Sequence, residues 1–214
     1  MEELLRSPFD VRWVAADEVA LARWRAQNLR LPAETVAATR DQLADAGSYQ
    51  TNDGAIAIAA MKPARLPEAP DGITLVLDDI RDPGNLGTLI RTADWYGVTT
   101  IVASATTADF YSPKTIQASM GSFTRVSVYY TELALFLAAQ RVPVYGTFLE
   151  GENVQTFRPA SPCMVVIGNE ANGISDAVAC TVTTRITIPR FGAAESLNAA
   201  IAAAVVLDNF KRLQ

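Results

Sequence analysis

Hydrophobic positions from residue 73 to the C-terminus follow two alternating periods. Short apolar runs with high strand propensity predict buried strands, and the stretches between them repeat apolar positions at helical spacing. The predicted strands are Ile73–Leu77, Thr100–Ala103, Arg125–Tyr129, Val142–Phe148, Met164–Ile167 and Arg185–Ile188. The predicted helices are Asn85–Tyr96, Pro113–Met120, Glu132–Gln140, Asp176–Cys180 and Leu197–Arg212. This alternation predicts an α/β domain with a mostly parallel sheet that is covered by helices on both faces.

The first part of the chain has a weaker pattern. It predicts two strands and two helices, at Val11–Ala15, Gly54–Ala60, Glu18–Gln27 and Pro32–Ala44. A stretch with little apolar periodicity follows and contains three prolines, which is typical of a linker. We therefore expect a small accessory α/β domain over residues 1–62, a proline-rich linker over residues 63–72 and the main domain over residues 73–214.

The chain has 214 residues, of which 50% are hydrophobic and 19% charged, so it can bury one sizeable core. Its longest apolar run near the C-terminus, Ala199–Leu207, is far shorter than the roughly 20 residues that cross a bilayer. The segment Met1–Asp10 has no sustained apolar stretch, unlike a secretory signal. We therefore expect no membrane span and a cytoplasmic location.

The composition excludes several kinds of catalytic chemistry. The chain contains no histidine, so Ser-His and Cys-His nucleophile pairs, histidine-ligated metals and an imidazole base are excluded. Its two cysteines, Cys163 and Cys180, are too few for a zinc site or a disulfide framework. We expect no metal, and any chemistry must use carboxylates, Arg, Lys, Tyr, Ser or Asn.

The net charge of −5 and the pI of about 4.8 argue against nucleic-acid binding over the entire protein surface. Net charge does not describe how charges are distributed, however. A local cluster, or a groove in a dimer, can be basic on an acidic protein.

A turn rich in Asp, Pro and Gly follows the first strand of the main domain and opens into a helix; we call Asp82–Arg91 the first segment. In such a turn the backbone N–H groups can point at an anion, and Arg91 adds a planar set of donors. The alternative is that Gly84 and Gly87 serve only the turn and that Arg91 is a solvated surface charge. The G-x-G-x-x-G spacing of dinucleotide-binding turns is absent, which disfavours a nicotinamide enzyme.

A second segment, Ile167–Gly173, follows another predicted strand. Gly168 at the strand end permits close approach of a ligand to the backbone. Glu170 either accepts a hydrogen bond from a ligand or caps the short helix that follows. Ligand sites of open α/β sheets lie at the carboxyl ends of the strands, which is where this segment begins.

A third segment, Ile188–Asn198, starts with Ile188-Pro189 and ends with Glu195-Ser196-Leu197-Asn198 before an alanine-rich helix. Ser196 is the expected N-cap of that helix. The many small side chains of the helix reflect high helix propensity or allow a close helix contact, such as one between subunits.

Taken in this order at the strand ends, the three segments resemble the signature motifs of the SpoU/TrmH family within the SPOUT class of RNA methyltransferases. They read Asp-Pro-x-Asn-x-Gly-x-x-x-Arg, Gly-x-Glu-x-x-Gly and Ile-Pro-x-x-x-x-x-Glu-Ser-Leu-Asn. The resemblance spans about Ile73 to the C-terminus. It implies S-adenosylmethionine as cofactor, a ribose 2′-hydroxyl of ribosomal or transfer RNA as methyl acceptor, a C-terminal trefoil knot and a homodimer.

Carried over by position, the resemblance assigns catalytic roles to Asn85, Arg91, Glu170, Ser196 and Asn198. Arg91 matches the arginine proposed to activate the 2′-hydroxyl. Because a guanidinium is always protonated in proteins, we expect it to bind phosphate and to stabilise the developing alkoxide. Asn85 would orient the site, Glu170 would orient its loop or Arg91, and the other two residues would lie near the reacting ribose.

The resemblance also implies a cofactor site in the knot, held largely by backbone atoms. Side chains of Phe148 and Ile188 would supply apolar walls for the adenine. The residues assigned to the cofactor are Thr147, Phe148, Gly168, Asn169, Gly173, Ile188, Pro189, Ser196 and Leu197.

Two features depart from the family pattern. Arg190 stands where an apolar residue is common, so the packing of the cofactor pocket is expected to differ. Residues 1–62 resemble only the latter portion of a ribosomal-protein-like RNA-binding domain that precedes the knot in many members. We therefore expect an incomplete substrate-binding domain.

Two other functions remain open. A catalytically idle, knotted RNA-binding or ribosome-assembly factor would suit the acidic pI and the short N-terminal part. A small-molecule enzyme of the doubly wound class rests on the α/β pattern alone. The candidate RNA contacts are Arg81, Arg91, Lys114, Arg125 and Arg190. A solvated surface position is the alternative for each of them except Arg91.

Overall fold

A computed structural model of the chain describes residues 1–47, 54–63 and 72–213. The chain divides into two units, Met1–Pro63 and Ala64–Gln214. Residues 64–71, which hold most of the predicted linker, lie outside the described residues. Within the described ranges, no helix is long and apolar enough to span a bilayer.

A three-stranded sheet forms the centre of the first unit. The elements in chain order are α1 (Glu2–Arg6), β1 (Val11–Ala16), α2 (Glu18–Ala26), β2 (Glu34–Ala37), α3 (Arg40–Ala46) and β3 (Ala55–Ala59). The strand order is β2-β1-β3, with β2 parallel and β3 antiparallel to β1. Leu21 and Trp24 of α2 pack with Val14 of β1 in the core of this unit.

The predicted helix Pro32–Ala44 is wrong. Its first half is the edge strand β2, and only its second half belongs to a helix, α3. Thr35 and Val36 are β-branched and suit a strand, and their pairing with β1 prevails over the helical spacing of this stretch. Thr39 then starts α3 through a capping box with Gln42.

The second unit contains a six-stranded parallel sheet. Its elements are β4 (Ile73–Leu77), α4 (Pro83–Trp95), β5 (Thr100–Ser104), α5 (Pro113–Ala118), a 3₁₀ turn (Ser122–Thr124), β6 (Ser127–Thr131), α6 (Leu133–Ala138), β7 (Val144–Asn153), β8 (Cys163–Ile167), α7 (Asp176–Ala179), β9 (Thr184–Thr187) and α8 (Ala199–Leu213). The strand order is β6-β5-β4-β8-β7-β9, and neighbouring strands pair in parallel. The predicted α/β architecture is confirmed.

Helices cover this sheet on both faces, as predicted. Every residue of β4 is buried. Leu75 and Leu77 join one hydrophobic core and Val76 joins another, because successive side chains of a strand point to opposite faces. Helices α4 and α8 contribute to the first core, and α6 and α7 contribute to the second.

Strand β7 is longer than predicted and is interrupted beside β9. Ile186 pairs with both Thr147 and Glu152, so the residues between those two are inserted as a bulge. A Cβ on Gly151 would lie 2.6 Å from the carbonyl oxygen of Arg185, so glycine is required for this close passage. After the bulge, Glu152 and Asn153 pair with Ile186 and Thr187 at the carboxyl end of β9.

The carboxyl ends of β4 and β8 lie side by side, since Leu77 pairs with Ile167. The first segment follows β4 and the second segment follows β8. The third segment leads into α8, which shares the core of α4. The fold therefore brings the three segments to one edge of the sheet.

Candidate active site

Side chains from the three segments form one hydrogen-bonded group. Asn85 Nδ2 donates to Glu170 Oε1 at 2.5 Å, and Asn198 Nδ2 donates to Asn85 Oδ1 at 3.0 Å. The two bonds join residues that are 85 and 113 positions apart in the sequence. Three of the predicted catalytic residues therefore meet.

The turn before α4 fixes the position of Asn85. The Asp82 carboxylate caps the helix by accepting from the Asn85 backbone N–H at 2.8 Å, and Pro83 occupies the start of the helix. Lys114 Nζ lies 3.0 Å from the other carboxylate oxygen, and this ion pair, with the backbone N–H groups, lowers the pKa of Asp82. The Asn85 N–H is thus taken by the protein's own carboxylate, which favours the alternative that this part of the turn serves the start of the helix.

Two glycines of the segments serve the packing of the chain on itself. A Cβ on Gly87 would lie 2.5 Å from Ala118 Cβ, so α4 and α5 approach closely only because Gly87 lacks a side chain. A Cβ on Gly168 would lie 2.3 Å from the carbonyl carbon of Gly173. The close approach at Gly168 is thus made by the second segment itself rather than by a ligand.

Asn198 also starts α8. Its Oδ1 accepts from the backbone N–H groups of Ala200 and Ile201 at 2.9 and 3.4 Å, and the helix begins at Ala199. The prediction of Ser196 as the N-cap is wrong, because the cap directly precedes the first helical residue. Ser196 is exposed, and its side chain has no hydrogen bond within the described part of the chain.

Arg91 lies on α4, the helix whose first turn carries Asn85. Its side chain is exposed and forms no hydrogen bond or ion pair with the residues that the structure describes. Three other candidate RNA contacts are engaged with aspartates: Arg81 with Asp79 (2.8 Å), Lys114 with Asp82 (3.0 Å) and Arg125 with Asp94 (2.8 Å). Arg190 donates to the carbonyl oxygen of Ala194 at 3.3 Å. Arg91 is therefore the candidate among these five whose guanidinium has no such internal contact.

Backbone groups at Gly168, Ile188 and Leu197 have no hydrogen-bond partner among the described residues. Gly168 and Ile188 are half-buried, and Leu197 is exposed. Because polar backbone groups away from bulk water need partners, Gly168 and Ile188 are suited to bind a ligand through main-chain atoms, and the exposed backbone of Leu197 is open to one.

The side chains predicted around the cofactor lie on both faces of the six-stranded sheet. Thr147 donates through its hydroxyl to the carbonyl oxygen of Val166 at 3.1 Å and so joins β7 to β8. Phe148 packs against the core of α6 and α7, with the Arg185 guanidinium 4.5 Å from its ring centroid. Ile188 packs against the core of α4 and α8. Phe148 and Ile188 thus belong to two different apolar clusters.

The remaining predicted cofactor residues lie at the loop ends. Gly173 has a φ of 70° and exchanges two backbone hydrogen bonds with Asn169, at 2.8 and 3.0 Å. Pro189 is half-buried directly after Ile188. Both sit at the bases of their loops, where they set the course of the second and third segments.

Sequence reasoning missed Asp78. Its buried carboxylate accepts from the backbone N–H of Ser175 at 2.8 Å and from the Ser175 hydroxyl at 2.7 Å, which ties the end of β4 to the start of α7. The available signal was a carboxylate directly after the apolar run Ile73–Leu77. A cavity of ≈ 220 Å³ opens beside Asp78 at the ends of β4, β5 and β6, and none of the predicted site residues lines it.

The architecture and the site define the class of protein: a parallel α/β domain with a polar site at the carboxyl edge of its sheet. The sequence profile of the SpoU rRNA Methylase family matches residues 72–208. The chain belongs to this family. The predicted membership is confirmed, and with it the prediction of an RNA ribose 2′-O-methyltransferase.

Individual relatives agree over most of the chain. The 23S rRNA (guanosine(2553)-2′-O)-methyltransferase RlmP of Bacillus subtilis (strain 168) is 31% identical over 99% of this chain and 85% of its own length. The 23S rRNA (uridine(2479)-2′-O)-methyltransferase of Streptomyces viridochromogenes is 30% identical over 87% of this chain and 70% of its own.

Solved structures of two relatives have the same fold. A TrmH-family protein from Porphyromonas gingivalis superposes with a TM-score of 0.87 at 34% identity, over 99% of this chain and 86% of that one. The SpoU methyltransferase AviRb from Streptomyces viridochromogenes, in complex with the cofactor AdoMet, gives a TM-score of 0.82 at 27% identity, over 99% and 86%.

Proposed function

We propose that this chain transfers a methyl group from S-adenosylmethionine to a ribose 2′-hydroxyl of ribosomal RNA, with Asn85, Arg91, Glu170, Ser196 and Asn198 at the reacting centre. One observation carries the assignment. The side chains of Asn85, Glu170 and Asn198 form a single hydrogen-bonded group, and Asn85 lies on the same helix as Arg91, whose guanidinium has no partner among the described residues.

The residues of the site suit S-adenosylmethionine as the cofactor. S-adenosylmethionine supplies an electrophilic methyl group when bound. Its transfer is a displacement that depends on alignment more than on a strong base, which a chain without histidine can provide. We infer that the backbone groups of Gly168, Ile188 and Leu197, which have no partner within the part of the chain that the structure describes, hold the cofactor, with Thr147, Phe148, Gly173 and Pro189 around them.

Arg91 acts on the RNA side. Through its guanidinium it binds a phosphate of the substrate and stabilises negative charge that develops on the 2′-oxygen. Asn85 is held between Glu170 and Asn198, which fixes its amide beside the first turn of α4. We infer that Ser196 contacts the ribose, and its exposed side chain, which has no hydrogen bond among the described residues, supports this role.

We further propose a homodimer that forms through α4 and α8, with a trefoil knot over β7 to α8 as the resemblance implies. Trp95 is 84% exposed at the end of α4, and Ile201 is 53% exposed on α8, which shares its core with α4. Exposed large apolar side chains of this kind are typical of an interaction surface. Sedimentation of the wild type and of Trp95→Glu tests this dimer, and a monomeric wild type at micromolar concentration would contradict it.

The N-terminal unit is proposed to bind the RNA substrate. Its support is the relative from Bacillus subtilis, whose alignment extends over 99% of this chain and so includes residues 1–63. An enzyme that modifies ribosomal RNA works where ribosomes are assembled, and we therefore place it in the cytoplasm.

The test is transfer of a tritiated methyl group from S-adenosylmethionine to an unmodified 23S rRNA transcript, followed by mapping of 2′-O-methyl groups. Incorporation at a defined ribose supports the proposal. If the chain binds the RNA and the cofactor but incorporates no label into any ribosomal or transfer RNA, the idle RNA-binding factor is the better description.

A further inference from the structure

The side chain of Asn169 uses its full hydrogen-bonding capacity within the protein. Its Nδ2 donates to the carbonyl oxygen of Asp79 at 2.8 Å and lies 3.5 Å from Asp79 Oδ2. Its Oδ1 accepts from the backbone N–H groups of Ala171 and Asn172 at 2.8 and 3.2 Å. A primary amide has two N–H donors and two oxygen lone pairs, so this side chain has no group left for a ligand.

These contacts also set the orientation of the Asn169 amide. Its oxygen faces two N–H donors and its nitrogen faces a carbonyl and a carboxylate, so a flipped amide would lose all of them. The backbone of Asn169 is fixed as well, because it exchanges two hydrogen bonds with Gly173. Asn169 therefore fixes the conformation of the second segment through hydrogen bonds within the protein.

Asp79 is the anchor that joins this loop to the end of β4. It has a φ of 62°, a left-handed conformation that is uncommon outside glycine. Its N–H donates to Ser104 Oγ at 2.9 Å, and its Oδ1 accepts from Arg81 Nε at 2.8 Å. The hydrogen bond from Arg81 lowers the pKa of Asp79, so at neutral pH the anchor presents a carbonyl and a charged carboxylate to the Asn169 amide.

Glu170 directly follows Asn169 and accepts from Asn85 Nδ2. We propose that Asn169 is a positioning residue that holds Glu170 against Asn85, and that its side chain does not contact the cofactor. The proposal rests on the function proposed above and replaces the role in cofactor binding that the resemblance implies for Asn169.

The first arm of the test needs no RNA. It compares Asn169→Ala with the matched control Asn172→Ala in the full chain. Asn172 lies in the same loop with an exposed side chain that makes no hydrogen bond to the described residues. We expect both variants to bind S-adenosylmethionine with a Kd within about threefold of wild type by calorimetry. Hydrogen exchange at the amides of positions 171 and 172 should accelerate about tenfold or more in Asn169→Ala alone, because their acceptor is lost.

The second arm measures methyl transfer to the unmodified 23S rRNA transcript. In Asn169→Ala we expect kcat to fall about 100-fold with the KM for S-adenosylmethionine unchanged, because the reacting groups are misaligned rather than removed. Asn172→Ala should keep the KM and kcat for the cofactor near wild type. A double-mutant cycle with Glu170→Gln should be strongly non-additive, since Asn169 acts through Glu170.

Three results would overturn the proposal: cofactor binding weakened tenfold or more in Asn169→Ala alone, unchanged exchange at positions 171 and 172, or additive losses in the cycle. If Asn169→Ala does not fold, Asn169→Asp replaces it with the same expectations for cofactor affinity, kcat and the double-mutant cycle, because it places a negative charge against Asp79. Its exchange at positions 171 and 172 should stay near that of the wild type, because the aspartate keeps an acceptor for the loop. A wild-type chain that binds the cofactor and transfers no methyl group would contradict the proposed function, and the binding and exchange measurements would still decide the role of Asn169.

Discussion

The two sides of the active site are built differently. At the end of β4, Asp78 binds Ser175, Asp79 binds Ser104 and Asn169, and further side-chain hydrogen bonds continue to the first turn of α4. The third segment, in contrast, has one hydrogen bond between its residues 188–197 within the described chain, from Arg190 to the carbonyl oxygen of Ala194. Residues 190–198 of that segment are exposed.

This difference separates two tasks. Catalytic side chains gain from an arrangement that exists before the substrate arrives, and the β4 side provides it through bonds within the protein. A segment with few internal bonds opens at low cost and leaves its backbone groups for a ligand. We call the residues at the end of β4 and on helix α4 the first side. We infer that the first side aligns the reacting groups, whereas the third segment becomes ordered when its ligand binds.

The largest expected effect concerns Arg91, the cation of the first side that has no internal partner among the described residues. Arg91→Ala should reduce methyl transfer about 100- to 1000-fold, as the loss of a donor to developing negative charge does, and should leave cofactor affinity within about twofold. Transfer to the rRNA transcript and calorimetry with S-adenosylmethionine measure the two quantities.

Arg125→Ala is the matched comparison, because Arg125 is also exposed but its guanidinium is engaged with Asp94. It should change transfer by less than about fivefold and cost at most about 1 kcal/mol of stability, the upper end for exposed ion pairs. If Arg91→Ala and Arg125→Ala lose transfer equally, the presence of an ion pair does not distinguish a structural cation from one that binds the substrate.

A pair of glycine substitutions tests the contrast in packing. Gly168→Ala should lower the free energy of unfolding by about 3 kcal/mol, because its Cβ would meet the backbone of Gly173 and Ile174. Gly192→Ala, in the third segment, should change it by less than about 1 kcal/mol, because no atom lies within 4 Å of the added Cβ. Urea denaturation compares them, and similar costs would show that the third segment is as tightly packed as the second.

The sequence predicted the sheet and the family better than it predicted local hydrogen bonding. Strand β4 was predicted with its observed bounds, since an apolar run buried on both faces leaves little ambiguity. The helix Pro32–Ala44 was wrong because pairing with β1 is a tertiary effect that local spacing does not contain.

The capping residues could not be predicted with certainty for a related reason. Ser196 and Asn198 are both good caps, and the choice depends on where α8 begins, which packing against α4 decides. The bond from Asn198 to Asn85 joins residues 113 positions apart, and only the folded sheet edge brings them together. The motif residues indicate the candidate site, and the topology of the sheet determines which of its side chains form hydrogen bonds with each other.

Cofactor binding should act on the third segment more than on the first. At a cofactor concentration of about 100 times Kd, the chain should gain about 2.7 kcal/mol of stability, seen as a higher Tm. Hydrogen exchange should slow at residues 188–197 and change little at residues 78–85. Equal protection of both stretches would contradict the inference that the first side is ordered before binding and that the ligand orders the third segment.

The smallest expected effect concerns the ion pair between Lys114 and Asp82 that supports the start of α4. The pKa of Asp82 is lowered in the folded chain, so its contribution to stability is present above the ordinary carboxyl pKa of about 4 and is lost as the pH falls through the lower, folded value. Both side chains are about half exposed, so solvent screening limits the pair to roughly 0–1 kcal/mol. Thermal unfolding between pH 3 and pH 7 should therefore show a slightly shallower acid dependence for Lys114→Met than for wild type. A large loss of stability at neutral pH in that variant would mean that the first side depends on this exposed pair more than on the buried bonds of Asp78.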